Sequence, residues 1–191
     1  MDDVTDIFDD YPPLRVVAPF VDLAGQLPWF RALGEVMSRD TVALAENYVQ
    51  ALGFPEAVPA LLGDWLDAAA AAESLDYNSP AWEAEEMERA VLTHQLLDEV
   101  GEEVLEMVFA HVAQAVMEPV SLAAEEAATY LQIHDEAFLQ AATGAAVHAC
   151  HLAVLALMTS AADDHPFLLR FSMFEAGRWP LGILGGSLNI F

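Results

Sequence analysis

The fold is decided by an uncharged stretch, DEAFLQAATGAAVHACHLAVLALMTS, at positions 135–160. No Asp, Glu, Lys or Arg occurs between positions 137 and 162. This length is sufficient to cross a bilayer. However, the stretch is mostly alanine, small and polar residues such as Gly144 interrupt it, and acids flank it instead of the basic residues that orient membrane spans. We therefore expect a helix that Asp135 caps and that other elements bury on most sides.

The remainder of the chain is strongly acidic. Its 191 residues include 31 Asp and Glu against six Arg and no Lys, a formal net charge of −25, although 55% of the residues are hydrophobic. High apolar content argues against disorder, so the carboxylates must surround a packed core. The length fits a single domain over 1–191.

A strongly negative surface limits the possible partners of this chain. Its field repels nucleic acids and anionic lipids and attracts cations and basic proteins. We therefore expect a basic protein partner, no direct nucleic-acid binding and no membrane association. Acidity that serves solubility, a saline habitat or only a GC-rich genome remains an open alternative. The sequence does not determine the oligomeric state.

The single cysteine, Cys150, excludes an intramolecular disulfide framework. The first ten residues, MDDVTDIFDD, are acidic where a secretory signal would be basic and then apolar. Both features favour a cytoplasmic location.

Proline, glycine and capping signals divide the chain into three parts. We expect an acidic extended arm over 1–26, a bundle of five or six helices over 27–163, and a three-stranded antiparallel β-meander over 164–191. The fold class is thus mainly α, or α+β by strict count. Individual helices are predicted over 27–52, from Pro55 and Pro59 to about 75, over 79–117 with a bend at Gly101, over 122–134, and over 135–160. The strands are predicted near 168–174, 179–184 and 187–191, with Gly185-Gly186 as a hairpin turn.

The long helix predicted over 79–117 carries a stripe of glutamates. At 100° per residue, six glutamates fall on one face, and residues such as Val104 and Val108 fall on the other. A solvated helix face explains such a pattern equally well. As a function, the stripe would dock a cationic partner. The candidate partner-binding residues are Glu85, Glu88, Glu99, Glu102, Glu103 and Glu106.

A second, weaker candidate surface is the aspartate-rich arm. Its members are Asp2, Asp3, Asp6, Asp9 and Asp10. Together these features favour a non-enzymatic acidic interaction protein, such as an inhibitor, immunity protein or adaptor. No catalytic residue and no cofactor are predicted, because phosphate loops, nucleophile elbows and zinc-protease motifs do not occur.

Histidines provide the alternative function, a helical bundle that holds a small ligand or a metal ion. His148 and His151 are three residues apart and share a helix face, and His111 lies on the predicted core side of the long helix. Imidazoles are common metal ligands. However, the Glu-x-x-His pairs of bundle di-iron sites do not occur, so interior histidines without metal are the simpler explanation. An inert buried thiol is expected for Cys150.

Overall fold

The computed structural model describes residues 11–191, which form a mostly helical protein with one small sheet. The predicted mainly helical class is confirmed. A 3-10 helix over Pro12–Val16 precedes seven α-helices in the described part of the chain. The α-helices are α1 Val17–Ala24, α2 Arg39–Ala51, α3 Trp65–Glu73, α4 Pro80–Glu99, α5 Glu102–Leu131, α6 Glu136–Met158 and α7 Pro166–Glu175. The strands are β1 Val58–Leu61, β2 Pro180–Leu184 and β3 Ser187–Ile190.

Helix α6 is the centre of the fold, as its uncharged sequence predicts. The Asp135 side chain accepts a hydrogen bond from the Ala137 N–H and caps the helix. Helices α4, α5 and α7 and the 3-10 helix pack around α6. Its side chains from Leu152 to Ala156 are all buried. A helix with apolar residues on nearly all sides is stable only under such cover.

The sheet is mixed, so the predicted antiparallel meander is wrong in one strand. Strands β2 and β3 form the expected hairpin through Gly185-Gly186. The third strand is β1, which pairs with β3 in parallel and gives the order β1-β3-β2. Residues 168–174, predicted as a strand, lie in α7, because His165 caps this helix and Pro166 occupies its first position.

Strand β1 lies where the sequence predicted the start of a helix from Pro55 and Pro59. Pro59 has no N–H to donate, and a proline is tolerated in a strand at the edge of a sheet. Here β1 is an edge strand, and its neighbour β3 is central. The following helix, α3, begins only after Asp64, whose side chain accepts a hydrogen bond from the Asp67 N–H.

The predicted arm over 1–26 is wrong for its second half. Residues 11–24 form the 3-10 helix and α1, and they bury Leu14, Val17 and Phe20 in the core. Prolines predict an extended segment, but they are also compatible with the first turn of a helix. The aspartates of the arm lie outside the described residues.

Other helix boundaries also differ from prediction. The helix predicted over 27–52 begins only at Arg39, after turns, with the Ser38 hydroxyl accepting a hydrogen bond from the Thr41 N–H. Pro119 does not separate two helices, since α5 continues through it to Leu131. Gly101 does not bend a single helix but separates α4 from α5 with φ +82°.

Candidate functional site

The break at Gly101 changes which glutamates share a face. The stripe was predicted for one continuous helix, but α4 and α5 are separate, so the 100° rule does not apply across their junction. On α4 the buried row includes Ala81, Leu92 and Leu96. Glu85 is four residues after Ala81 and seven before Leu92, so it belongs to this inward row. The predicted common face of all six glutamates is therefore wrong.

Glu85 forms a buried cluster with side chains from two other helices. Arg170 of α7 donates through Nη1 to both carboxylate oxygens, at 2.8 Å and 2.6 Å. The Tyr48 hydroxyl of α2 also donates to Glu85. The Glu85 and Arg170 side chains are only 14% and 13% exposed. This carboxylate joins α2, α4 and α7 and is not available to a partner.

Electrostatics confirm the structural character of this cluster. Burial raises the pKa of Tyr48, and the Glu85 charge raises it further. Burial alone would lower the pKa of Arg170, but the Glu85 and Tyr48 contacts outweigh burial and raise it. Both side chains therefore keep their protons throughout the physiological range, and neither acts as a general base.

Glu88 also faces the body of the protein. One of its carboxylate oxygens lies 3.6 Å from Nε2 of His165, and its side chain is 47% exposed. His165 is the N-cap of α7, where its Nδ1 accepts a hydrogen bond from the Phe167 N–H at 3.2 Å. Burial lowers the pKa of His165, although the Glu88 and Asp164 charges act in the opposite direction. Glu88 thus belongs to the contact between α4 and α7.

The other four candidates lie together around the Gly101 break. All are exposed, and within residues 11–191 the ion pairs involve other carboxylates, namely Glu85, Glu86, Glu88 and Asp98. We call these four residues the junction surface: Glu99, Glu102, Glu103 and Glu106.

Two members of the junction surface also have a structural role. Glu102 and Glu103 lie in the first turn of α5, where negative charge is favourable next to the unpaired N–H groups of a helix N-terminus. Glu99 accepts a hydrogen bond from the Gln95 side-chain amide at 3.0 Å. The junction surface therefore presents concentrated negative charge at the point where the chain turns from α4 into α5.

A groove of about 640 Å³ lies between α5 and α6. His151 contacts Phe109 at one end, and Glu125 and Gln140 line the other, so the two helices run antiparallel. Gly144 is exposed on the α6 side, and an added Cβ there would meet no atom within 4 Å. The groove therefore accommodates an additional group without movement of the backbone.

Two of the three candidate histidines line this groove. Nε2 of His151 lies 3.1 Å from the Phe109 carbonyl oxygen, which requires the Nε2–H tautomer in the neutral ring. Burial lowers the pKa of His151. His148 keeps contact with solvent, yet desolvation by neighbouring helices, followed by the Arg170 charge, lowers its pKa as well. Both rings are thus neutral at pH 7.

The structure does not assemble the predicted histidine site. His111 is half-buried on α5 and does not line the groove that contains His148 and His151. Within residues 11–191, no group of three or more His, Cys, Asp or Glu side chains is arranged to hold a metal ion. The pattern of His148 and His151 three residues apart identified a shared surface, but the sequence gave no information about a third ligand.

Cys150 is buried and free, as the sequence predicts for an inert thiol. Burial raises its pKa to about 12. Since the thiolate is the nucleophilic form, this side chain is unreactive at neutral pH.

Two helices have the length and hydropathy of membrane spans. They are α5 and α6, and 28% and 61% of their most apolar windows are buried inside the fold. Buried core helices of soluble proteins meet the same criteria, and α6 has the position of such a helix.

Comparison of this chain with protein-family models, with curated proteins and with solved structures finds no match.

Proposed function

We propose that this protein is a non-enzymatic acidic interaction protein, an inhibitor, immunity protein or adaptor, and that it binds a basic protein partner. The observation that carries the proposal is the junction surface, four exposed carboxylates around the turn at Gly101. The chain has no lysine and only six arginines to neutralise its acids. A cationic partner would relieve the mutual repulsion of these carboxylates on binding, and their field would accelerate its approach.

The proposal replaces the six-residue stripe by a smaller surface. Glu85 and Glu88 are excluded because they hold α4 against α7. The remaining side chains extend from two helix ends, so their spacing does not follow the period of one helix. A protein that normally binds phosphates is a suitable partner class, since carboxylates can occupy sites built for phosphate oxygens.

The test compares two triple variants with equal net charge. Glu99→Lys, Glu103→Lys and Glu106→Lys change the junction surface and leave Glu102 to support the α5 N-terminus. The control replaces three exposed glutamates elsewhere, Glu46→Lys, Glu56→Lys and Glu73→Lys. Proteins captured from the native host by the unaltered chain at low and moderate salt are identified by mass spectrometry and purified for kinetics.

We expect the junction variant to lower the association rate about tenfold or more at low salt. The control should retain most of the rate, because its charges lie away from the partner. Equal losses in both variants would show that only total charge matters. An unchanged rate in the junction variant would reject the junction surface as the docking site.

A further inference from the structure

We propose that the α5–α6 groove binds an amphipathic helix of the basic partner, which therefore makes an apolar contact as well as an ionic one. This inference rests on the proposed function, because the partner must be basic. It adds a second surface and the class of structure that this surface recognises. The argument depends on the shape of the groove, on the distribution of charge around it and on the position of the junction surface.

The shape of the groove fits a helix of about three turns. Met117, Ser121 and Glu125 follow each other at intervals of four residues and form one wall. Along α6 the lining extends from Leu139 to His151. At 1.5 Å per residue this stretch is about 18 Å long, the length of a helix of about 12 residues. Gly144 and the neighbouring exposed alanines allow a third helix to approach closely.

The floor of the groove is uncharged, in contrast to the rest of the surface. From Ala137 to His151 the exposed side of α6 has no Asp, Glu, Lys or Arg. The imidazoles of His148 and His151 are neutral at pH 7, since burial lowers their pKa values. Met117, 46% exposed, adds a flexible apolar side chain that adapts to its contacts. Apolar side chains of a partner can be buried here without confronting a carboxylate.

Carboxylates border the uncharged floor. Glu125 lies in the groove wall, and Glu118 and Glu136 are exposed on the same two helices. A helix with an apolar stripe between rows of Lys or Arg complements this arrangement. A second copy of this chain would bring a further charge of −25 and be repelled.

The groove is continuous with the junction surface. Glu102, Glu106 and Met117 lie on the same side of α5, because their spacings of four and eleven residues are close to whole turns. A bound helix that extends beyond the groove would therefore reach the glutamates around Gly101. One partner can contact both surfaces at once.

The experiment uses a defined probe, an 18-residue helical peptide of Leu and Lys with one apolar face. A scrambled peptide of identical composition has the same charge but no continuous apolar face. Binding to the full chain is measured by fluorescence anisotropy at about 150 mM salt, where exposed charges beyond about 8 Å are screened. The key variant is Gly144→Trp, which fills the groove where a side chain meets no neighbour. Ala43→Trp, exposed on α2, is the control of equal bulk.

We expect Gly144→Trp to weaken the amphipathic peptide at least tenfold and Ala43→Trp to leave it unchanged. The scrambled peptide should bind more weakly and equally to all three proteins. Equal binding of the amphipathic peptide to the unaltered chain and to Gly144→Trp would overturn the groove assignment. The junction variant separates the two proposals, since its failure to affect the captured partner rejects the ionic surface whatever Gly144→Trp does.

Discussion

At the scale of single residues, the decisive interaction is the ion pair between Glu85 and Arg170. A buried guanidinium requires a carboxylate, because an isolated charge away from water is costly. Arg170 receives both oxygens of Glu85, and Tyr48 donates to the same group. Glu86, the next residue, forms an ordinary surface pair with Arg89 at 2.5 Å. Adjacent glutamates thus have different roles, one inside the fold and one at its surface.

This difference leads to a stability prediction. Glu85→Gln should lower the free energy of unfolding by about 3–5 kcal/mol, because it leaves Arg170 buried without a counter-charge. Glu86→Gln should cost about 1 kcal/mol or less, as is typical of exposed pairs. Urea unfolding of both variants, monitored by circular dichroism, measures the difference.

A combined variant tests the cause of the loss. Glu85→Leu with Arg170→Met and Tyr48→Phe removes all polar partners together, and it should recover much of the stability lost in Glu85→Gln. If Glu85→Gln were no more harmful than Glu86→Gln, the cluster would not be buried as described.

The sequence could not show the role of Glu85, because its partners are 37 and 85 residues away along the chain. The available signal was local. Ala81, Glu85, Leu92 and Leu96 are spaced as one helical row, which places a glutamate among core positions. The wheel used for the prediction instead extended through Gly101 and mixed two helices. By contrast, the burial of Cys150 was predictable because every residue near it is uncharged.

At the scale of elements, helix ends were predicted where a capping side chain and a proline occur together. Ser79-Pro80 and Asp135 begin α4 and α6 as expected. The same signal, His165-Pro166, was missed at α7, because the run of bulky apolar residues after it resembles a strand. Strand β1 was missed since its partner in the sheet lies about 130 residues later, and only tertiary pairing makes this short segment a strand.

Two glycines provide a prediction at this scale. Gly101 ends α4 at φ +82°, and an added Cβ would meet no atom within 4 Å. Gly177 has φ +74°, but its Cβ would lie 3.0 Å from the Ala32 backbone nitrogen. Gly101→Ala should therefore cost about 1–2 kcal/mol from backbone strain alone. Gly177→Ala should cost more, because a steric clash is added.

Thermal and urea unfolding of the two alanine variants measure these costs. Gly144→Ala serves as a control, since Gly144 lies within α6 and alanine favours helix there, so stability should rise slightly. Similar losses at Gly101 and Gly177 would contradict the close approach of Gly177 to Ala32.

At the scale of the whole molecule, the surface is acidic while the interior contains neutral imidazoles. His148, His151 and His165 each have a lowered pKa, and burial is the first cause in each case. Below pH 6.5 the unfolded chain therefore binds more protons than the folded one, which makes folding less favourable as the pH falls. The stabilising contribution is complete above pH 6.5 and is lost as the pH decreases through the folded pKa values.

We expect the free energy of unfolding to decrease between pH 7.5 and 5.5, before most carboxylates titrate. His165→Asn should reduce this pH dependence, because asparagine also caps a helix but does not titrate in this range. His94→Asn is the control, since His94 is exposed on α4 with 81% of its side chain accessible. Urea unfolding at several pH values provides the measurement, and a flat profile for the unaltered protein would contradict the buried positions of these rings.

The order of the sheet has a consequence for how the chain acquires its structure during synthesis. Strand β3 is central, so β1 and β2 can each be completed only by residues 187–190. A ribosome makes β1 long before β3, and the hydrogen-bonding groups of β1 have no strand to meet until then. Translation at about 5–20 residues per second implies a delay of several seconds or more, during which this segment depends on the helices or a chaperone for protection.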